Sequence, residues 1–117
     1  AFRDLAELRA CDIFQPDLSI CGGITEAMRI EAIASAYQLR YAPHLWGGAL
    51  TFAAGLHTMV VASTGFIVEY SLGANPMLHE LAIEDFKVID GHLDVPERPG
   101  LGVTVNQEFV DTYRVKN

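Results

Sequence analysis

Apolar and polar positions fall in short blocks whose period changes along the chain. Phe2, Leu5, Ala6 and Leu8 share one side, with Arg3, Asp4, Glu7 and Arg9 elsewhere, a spacing that predicts a helix over Phe2–Ala10. Asp12–Leu18 is rich in β-formers, so a short strand is expected that Pro16 ends, leaving the Asp17 carboxylate just beyond it. Gly22 and Gly23 turn the chain, and Thr25 is placed to cap a helix running to about Tyr37 with Glu26 in its first turn. On that helix Glu26, Arg29 and Glu31 lie away from Ala27, Ile30 and Ala34, so one face is buried and the charges are expected in solvent.

Arg40–Leu45 reads as a second extended stretch, with His44 directly after Pro43. Ala49–Ala62 has helical character and no formal charge, Ser63, Thr64 and Gly65 break it, and Phe66–Glu69 reads as a third apolar strand ending in a carboxylate. A short helix is expected around Met77–Leu81. Farther on, Asp90-Gly91 is a turn signal, His92–Val95 and Val103–Val105 read as extended, and Asn106 can cap a helix over Gln107–Tyr113. No repeat, low-complexity run or linker divides the chain, which is read as one unit.

Strands alternating with helices predict an α/β fold with a parallel sheet, in which all strand ends open on the same face. Twenty-seven residues take Asp17 to His44 and 25 take His44 to Glu69, each close to one strand–helix unit. A carboxylate, an imidazole and a second carboxylate are therefore expected together on the face where parallel α/β proteins bind ligands. Such a trio supports proton transfer. Asp17 would fix the tautomer of His44, whose other ring nitrogen would face a substrate, and Glu69 would sit opposite and, if protonated by burial, donate a hydrogen bond to an oxygen gaining negative charge.

Composition narrows the partners. Fifteen acidic and eight basic residues give a net charge of −7, which argues against binding to nucleic acid or to an anionic membrane surface. No Asp, Glu, Lys or Arg occurs from Ala42 to Val68, but Pro43, the four glycines Gly47, Gly48, Gly55 and Gly65, and two histidines exclude a single lipid-facing helix. That run is expected to need cover on nearly every side. Cys11 and Cys21 form no disulfide framework, and without a secretory segment at Ala1 a reduced, cytoplasmic protein is expected.

The ordered motifs resemble a known family. Gln15-Pro-Asp-Leu-Ser-Ile-Cys-Gly-Gly-Ile-Thr-Glu26, Pro43-His44, the helix around His57, Glu69, Asp90-Gly91 and Val95-Pro-Glu-Arg-Pro-Gly-Leu-Gly-Val103 are similar to the carboxyl-terminal portion of the enolase superfamily, in its mandelate racemase/muconate lactonizing enzyme family. The resemblance implies about strands 6–8 of a (β/α)7β TIM-like barrel over residues 1–89 and a tail over 90–117 that joins the capping domain. It implies that Asp17 and His44 form the dyad of the mandelate racemase-like subgroup and that Glu69 bonds the enediolate; lysine-base members are disfavoured because the first lysine is Lys87.

The Asn75-Pro76 segment looks more like the acid-sugar dehydratases of carbohydrate acid catabolism. The implied reaction is removal of the proton α to a carboxylate and loss of a β-hydroxyl, with Mg2+ held by residues upstream and no metal ligand in this chain. A racemase or epimerase acting on a 2-hydroxy acid is the alternative, and an inactive binding or assembly fragment is the non-enzyme one. A small carboxylate or acid-sugar substrate and a homo-oligomer are the implied partners, and these residues alone are expected to be inactive.

Among other residues, Trp46 is placed either to line the substrate pocket or to pack in the barrel mouth. His57 is read as a satisfied core or interface histidine and Tyr41 as core, and His79 and His92 lack metal-ligand spacing.

Overall fold

In the computed structural model, which describes residues 1–115, the elements are α1 (Phe2–Glu7), β1 (Ile13–Phe14), α2 (Leu18–Cys21), α3 (Gly23–Ala36), β2 (Arg40–Tyr41), α4 (Ala49–Val61), α5 (Pro76–His79), β3 (Val88–Ile89), β4 (His92–Leu93) and α6 (Gln107–Tyr113). The helices before the two parallel strands end alike. After α1 the N–H groups of Arg9 and Ala10 bond the carbonyls of Ala6 and Leu5, and after α3 those of Gln38 and Leu39 bond Ser35 and Ala34. Arg9 (φ 48°) and Gln38 (φ 59°) occupy the left-handed position where glycine is usual. This closure ends the first helix at Glu7 rather than at the expected Ala10.

Thr25 is not a cap. Asp17 starts α2 by accepting the Ser19 N–H at 2.8 Å, and left-handed Gly22 (φ 112°) both ends α2 and begins α3, placing Thr25 inside the helix. Glu31 is not in solvent either. It is 7% exposed, because the loop after α4 folds over it.

The sheet is built on alternating donors in the stretch from Arg40 to Leu45. On one side, the N–H groups of Arg40, Ala42 and His44 bond the carbonyls of Asp12, Phe14 and Pro16 at 3.0, 3.0 and 3.1 Å. β1 and β2 are thus parallel, with Ile13 opposite Arg40, and the pairing passes Pro16 to a bridge between Asp17 and His44. Pro16 has no N–H to give, but its carbonyl still accepts. On the other side, Tyr41 donates to the Thr64 carbonyl at 2.9 Å and bridges Gly65. Pro43, the next residue on that side, has no donor. The expected strand over Phe66–Glu69 is consequently an extended segment with no ladder beyond Gly65 among the described residues.

α4 packs over this sheet through Ala49, Phe52, Ala53, Leu56 and Thr58, in a core completed by Leu45, Leu78, Phe86 and Phe109. Tyr41 is fully buried, as expected, and its hydroxyl lies 3.2 Å from Thr58 Oγ1. The outer residues of the uncharged run, Val60, Val61, Phe66 and Ile67, remain exposed, so the expected cover is not supplied by these residues. The radius of gyration of 15.4 Å exceeds the roughly 13 Å of a compact domain of this length, which fits an open slab. No helix among the described residues is long and apolar enough to cross a membrane.

The short helix α5 starts at Pro76, one residue before the expected Met77, because Asn75 caps it. β3 and β4 form an antiparallel hairpin around Asp90 (φ 49°) and Gly91 (φ 77°), the pair of positive angles that a two-residue turn of this hand requires. The extended piece before α6 makes a single bridge, Ala82 to Val105, and Asn106 caps α6 as expected by accepting the Phe109 N–H.

One contact tests this packing. A Cβ on Gly55 of α4 would lie 2.2 Å from Leu45 Cδ2, and Leu45 is only 2% exposed and cannot swing away. Helix propensity alone makes Gly→Ala stabilising by up to about 1 kcal/mol. The clash predicts the opposite sign, a loss of about 1–3 kcal/mol for Gly55→Ala in urea unfolding of the complete protein. An unchanged or raised midpoint would contradict the close approach of α4 to the His44-bearing stretch.

Candidate active site

Register places the first two candidate groups together. Ile13 pairs with Arg40, Phe14 with Tyr41 and Asp17 with His44, the last two being 27 positions apart in the chain like the others. Because the pairing continues past Pro16, the spacing read from the sequence becomes direct opposition at the strand ends. His44 Nδ1–H donates to Asp17 Oδ2 at 2.8 Å, and the His44 amide is held by the Pro16 carbonyl. The Asp17 side chain is 9% exposed and that of His44 is 45% exposed. The pair therefore has a sheltered anchor and an accessible ring, with Nε2 left for a second partner.

The two oxygens of Asp17 have separate tasks. Oδ1 accepts from the backbone and hydroxyl of Ser19 and so caps α2, while Oδ2 takes the imidazole. Burial opposes the charge on Asp17, but the hydrogen bonds from Ser19 and His44 outweigh it and hold the carboxyl below its ordinary value.

Glu69 joins from the other side, one residue along. Tyr41 pairs with Gly65, and the same offset of 24 positions relates Leu45 to Glu69, whereas His44 and Glu69 are 25 apart. Glu69 Oε2 accordingly accepts the Leu45 N–H at 2.8 Å and reaches the backbone beside His44. It occupies the donor that a ladder carbonyl would otherwise take. Glu69 is exposed among these residues.

Trp46 is 62% exposed and lines a shallow groove of about 370 Å³ with Gly47, Gly48, Asn75 and Met77; His44, Asp17 and Glu69 are not part of that lining. Sequence reasoning missed the role of Asn75 there. Its Nδ2 donates to the Gly47 carbonyl at 3.1 Å and its Oδ1 caps α5, tying the loop after His44 to the loop after Glu69. The signal was available, since Asn before Pro is a capping pattern. His57 Nε2 bonds the Leu101 carbonyl at 3.3 Å, the satisfied histidine that was expected. Among the described residues no three His, Cys, Asp or Glu side chains cluster in a way that could hold a metal ion.

Residues 1–109 match the family described as enolase C-terminal domain-like. The chain is 41% identical over 104 residues to a D-galactonate dehydratase of Pectobacterium atrosepticum, covering 84% of this chain and 27% of that protein. It is 31% identical over 114 residues to a D-galactarolactone cycloisomerase of Agrobacterium fabrum, covering 91% of this chain and 30% of that one. The crystal structure of the 3,6-anhydro-D-galactonate cycloisomerase from Zobellia galactanivorans superposes with a TM-score of 0.89 at 32% identity, over 98% of this chain and 32% of that chain. The chain thus spans less than a third of the length of these relatives.

The depressed Asp17 carboxyl sets a pH dependence. Below the ordinary carboxylate range the unfolded chain takes up a proton at Asp17 before the folded chain does, so stability from this group is complete above that range and is lost as pH falls through the folded value. Asp17→Asn should flatten the acid limb of a plot of unfolding free energy against pH. An acid limb as steep as in the wild type would exclude Asp17 as one of its sources.

Proposed function

The chain belongs to the enolase C-terminal domain-like family, and on that premise we propose that it carries the Asp17, His44 and Glu69 share of a site that dehydrates an acid sugar. Its fold is that of the carboxyl-terminal part of the family's TIM barrels. The observation that carries the reading is the 2.8 Å bond from His44 Nδ1 to Asp17 Oδ2, with the ring otherwise accessible.

In the proposed reaction a base outside the described residues takes the proton α to the substrate carboxylate, and the β-hydroxyl leaves as water. His44, carrying protons on both ring nitrogens, donates from Nε2 to the departing oxygen. Asp17 holds the ring in line and faces its positive charge. The resulting enol becomes a 2-keto-3-deoxy acid. Glu69 would sit beside the substrate carboxylate, and Trp46 would close the adjoining groove. The resemblance implies Mg2+ for the enediolate, but the described residues do not form a ligand set for it, so no step is routed through the ion.

Residues 1–89 would form the barrel portion and 90–117 the tail that meets a capping domain. The kinship with D-galactonate dehydratases supports a six-carbon aldonate as substrate. In the complete protein, His44→Asn should lower formation of the keto acid from D-galactonate by about a thousand-fold or more, in the upper range for a general acid. Undiminished turnover would remove His44 from the role. Exchange of the α-proton with deuterated solvent and no loss of water, in the wild type, would instead assign the site to racemization.

A further inference from the structure

Pro43 leaves the Glu69-bearing segment weakly tied. Its one backbone bond to the Arg40–Leu45 stretch, among the described residues, runs from the Tyr41 N–H to the Thr64 carbonyl. The next donor on that side is missing at Pro43, and the one after it, on Leu45, is taken by the Glu69 carboxylate. Side chains alternate along an extended segment, so a slip of one residue at its start would turn Glu69 to the other face. Whatever holds Thr64 therefore decides where Glu69 arrives.

That holder is Glu31, on α3. Its Oε1 accepts the Thr64 N–H at 3.2 Å, the Thr64 hydroxyl at 3.1 Å and the Ser63 hydroxyl at 2.9 Å. A 7% exposed carboxylate gripping two consecutive loop residues is a costly arrangement, and the mechanism above makes no use of it. We propose that Glu31 is a positioning residue, which clamps Ser63 and Thr64 from the far end of the sheet and so sets the register that brings Glu69 beside His44.

The consequence for catalysis rests on the proposed role of Glu69, but the clamp is testable without activity. The readout is hydrogen exchange at the backbone amide of Leu45 in the complete protein, followed by NMR, because the Glu69 carboxylate is its acceptor. Glu31→Ala should speed hydrogen exchange at Tyr41 and Leu45 by about ten-fold or more. The His44 amide, bonded to Pro16, and the Phe109 amide, capped by Asn106, should exchange as before. Glu31→Gln keeps an acceptor for all three donors and should restore the wild-type pattern.

A Leu45 amide as protected in Glu31→Ala as in the wild type, a Gln variant as impaired as Ala, or equal acceleration at Phe109 would each overturn the proposal. Should Glu31→Ala fail to fold, the pair Ser63→Ala with Thr64→Val removes both hydroxyl donors from the other side, and unaltered hydrogen exchange at Leu45 there would overturn it equally. If the wild type turns over D-galactonate, kcat should fall in Glu31→Ala and recover in Glu31→Gln. If it does not, the dehydratase reading fails while the amide data still decide the clamp.

Discussion

The stretch from Arg40 to Leu45 supports everything else, because its amides point alternately to two neighbours. The even-numbered residues hold the β1 side, bringing His44 opposite Asp17. The odd-numbered ones face the Gly65–Glu69 segment, where a proline interrupts the series and a side-chain carboxylate finishes it. Parallel pairing transmits register without loss, so a match near Ile13 and Arg40 determines which side chains meet three or four residues later.

This arrangement makes structural and chemical tasks share groups. Asp17 caps a helix with one oxygen and orients an imidazole with the other, so its conformation is fixed before any substrate arrives. Leu45 contributes a buried side chain against Gly55 and a backbone donor to Glu69. The site is therefore rigid where the ring is anchored and open where the ring is accessible. The exposed valines and aromatic residue at the edge of the slab show the same division at larger scale, with a core on one face and uncovered apolar surface on the other.

Much of this was legible from residue order. The alternation of helix and strand, the Asp90-Gly91 turn, the Asn106 cap and the pairing of Asp17 with His44 all follow from local chemistry and from a spacing equal to the strand offset. Thr25 and Glu31 were misplaced for a common reason. Their roles depend on what lies across from them, Asp17 capping a helix upstream and Ser63-Thr64 folding over a carboxylate, and helical periodicity sees only one element at a time. The third strand failed for a different reason, since its hydrogen bonds depend on a proline in its neighbour and not on its own apolar run.

The amino-acid sequence by itself determined the positions of the longer helices, the Asp90-Gly91 turn, the Asn106 cap and the identity of the ionisable groups near the strand ends, because those depend on contacts within a few residues. Only the tertiary structure decided that Glu69 falls one residue past His44, that Glu31 is buried, and that Trp46 opens onto a separate groove. Those outcomes turn on the offset between paired strands, and an offset is a property of two segments together.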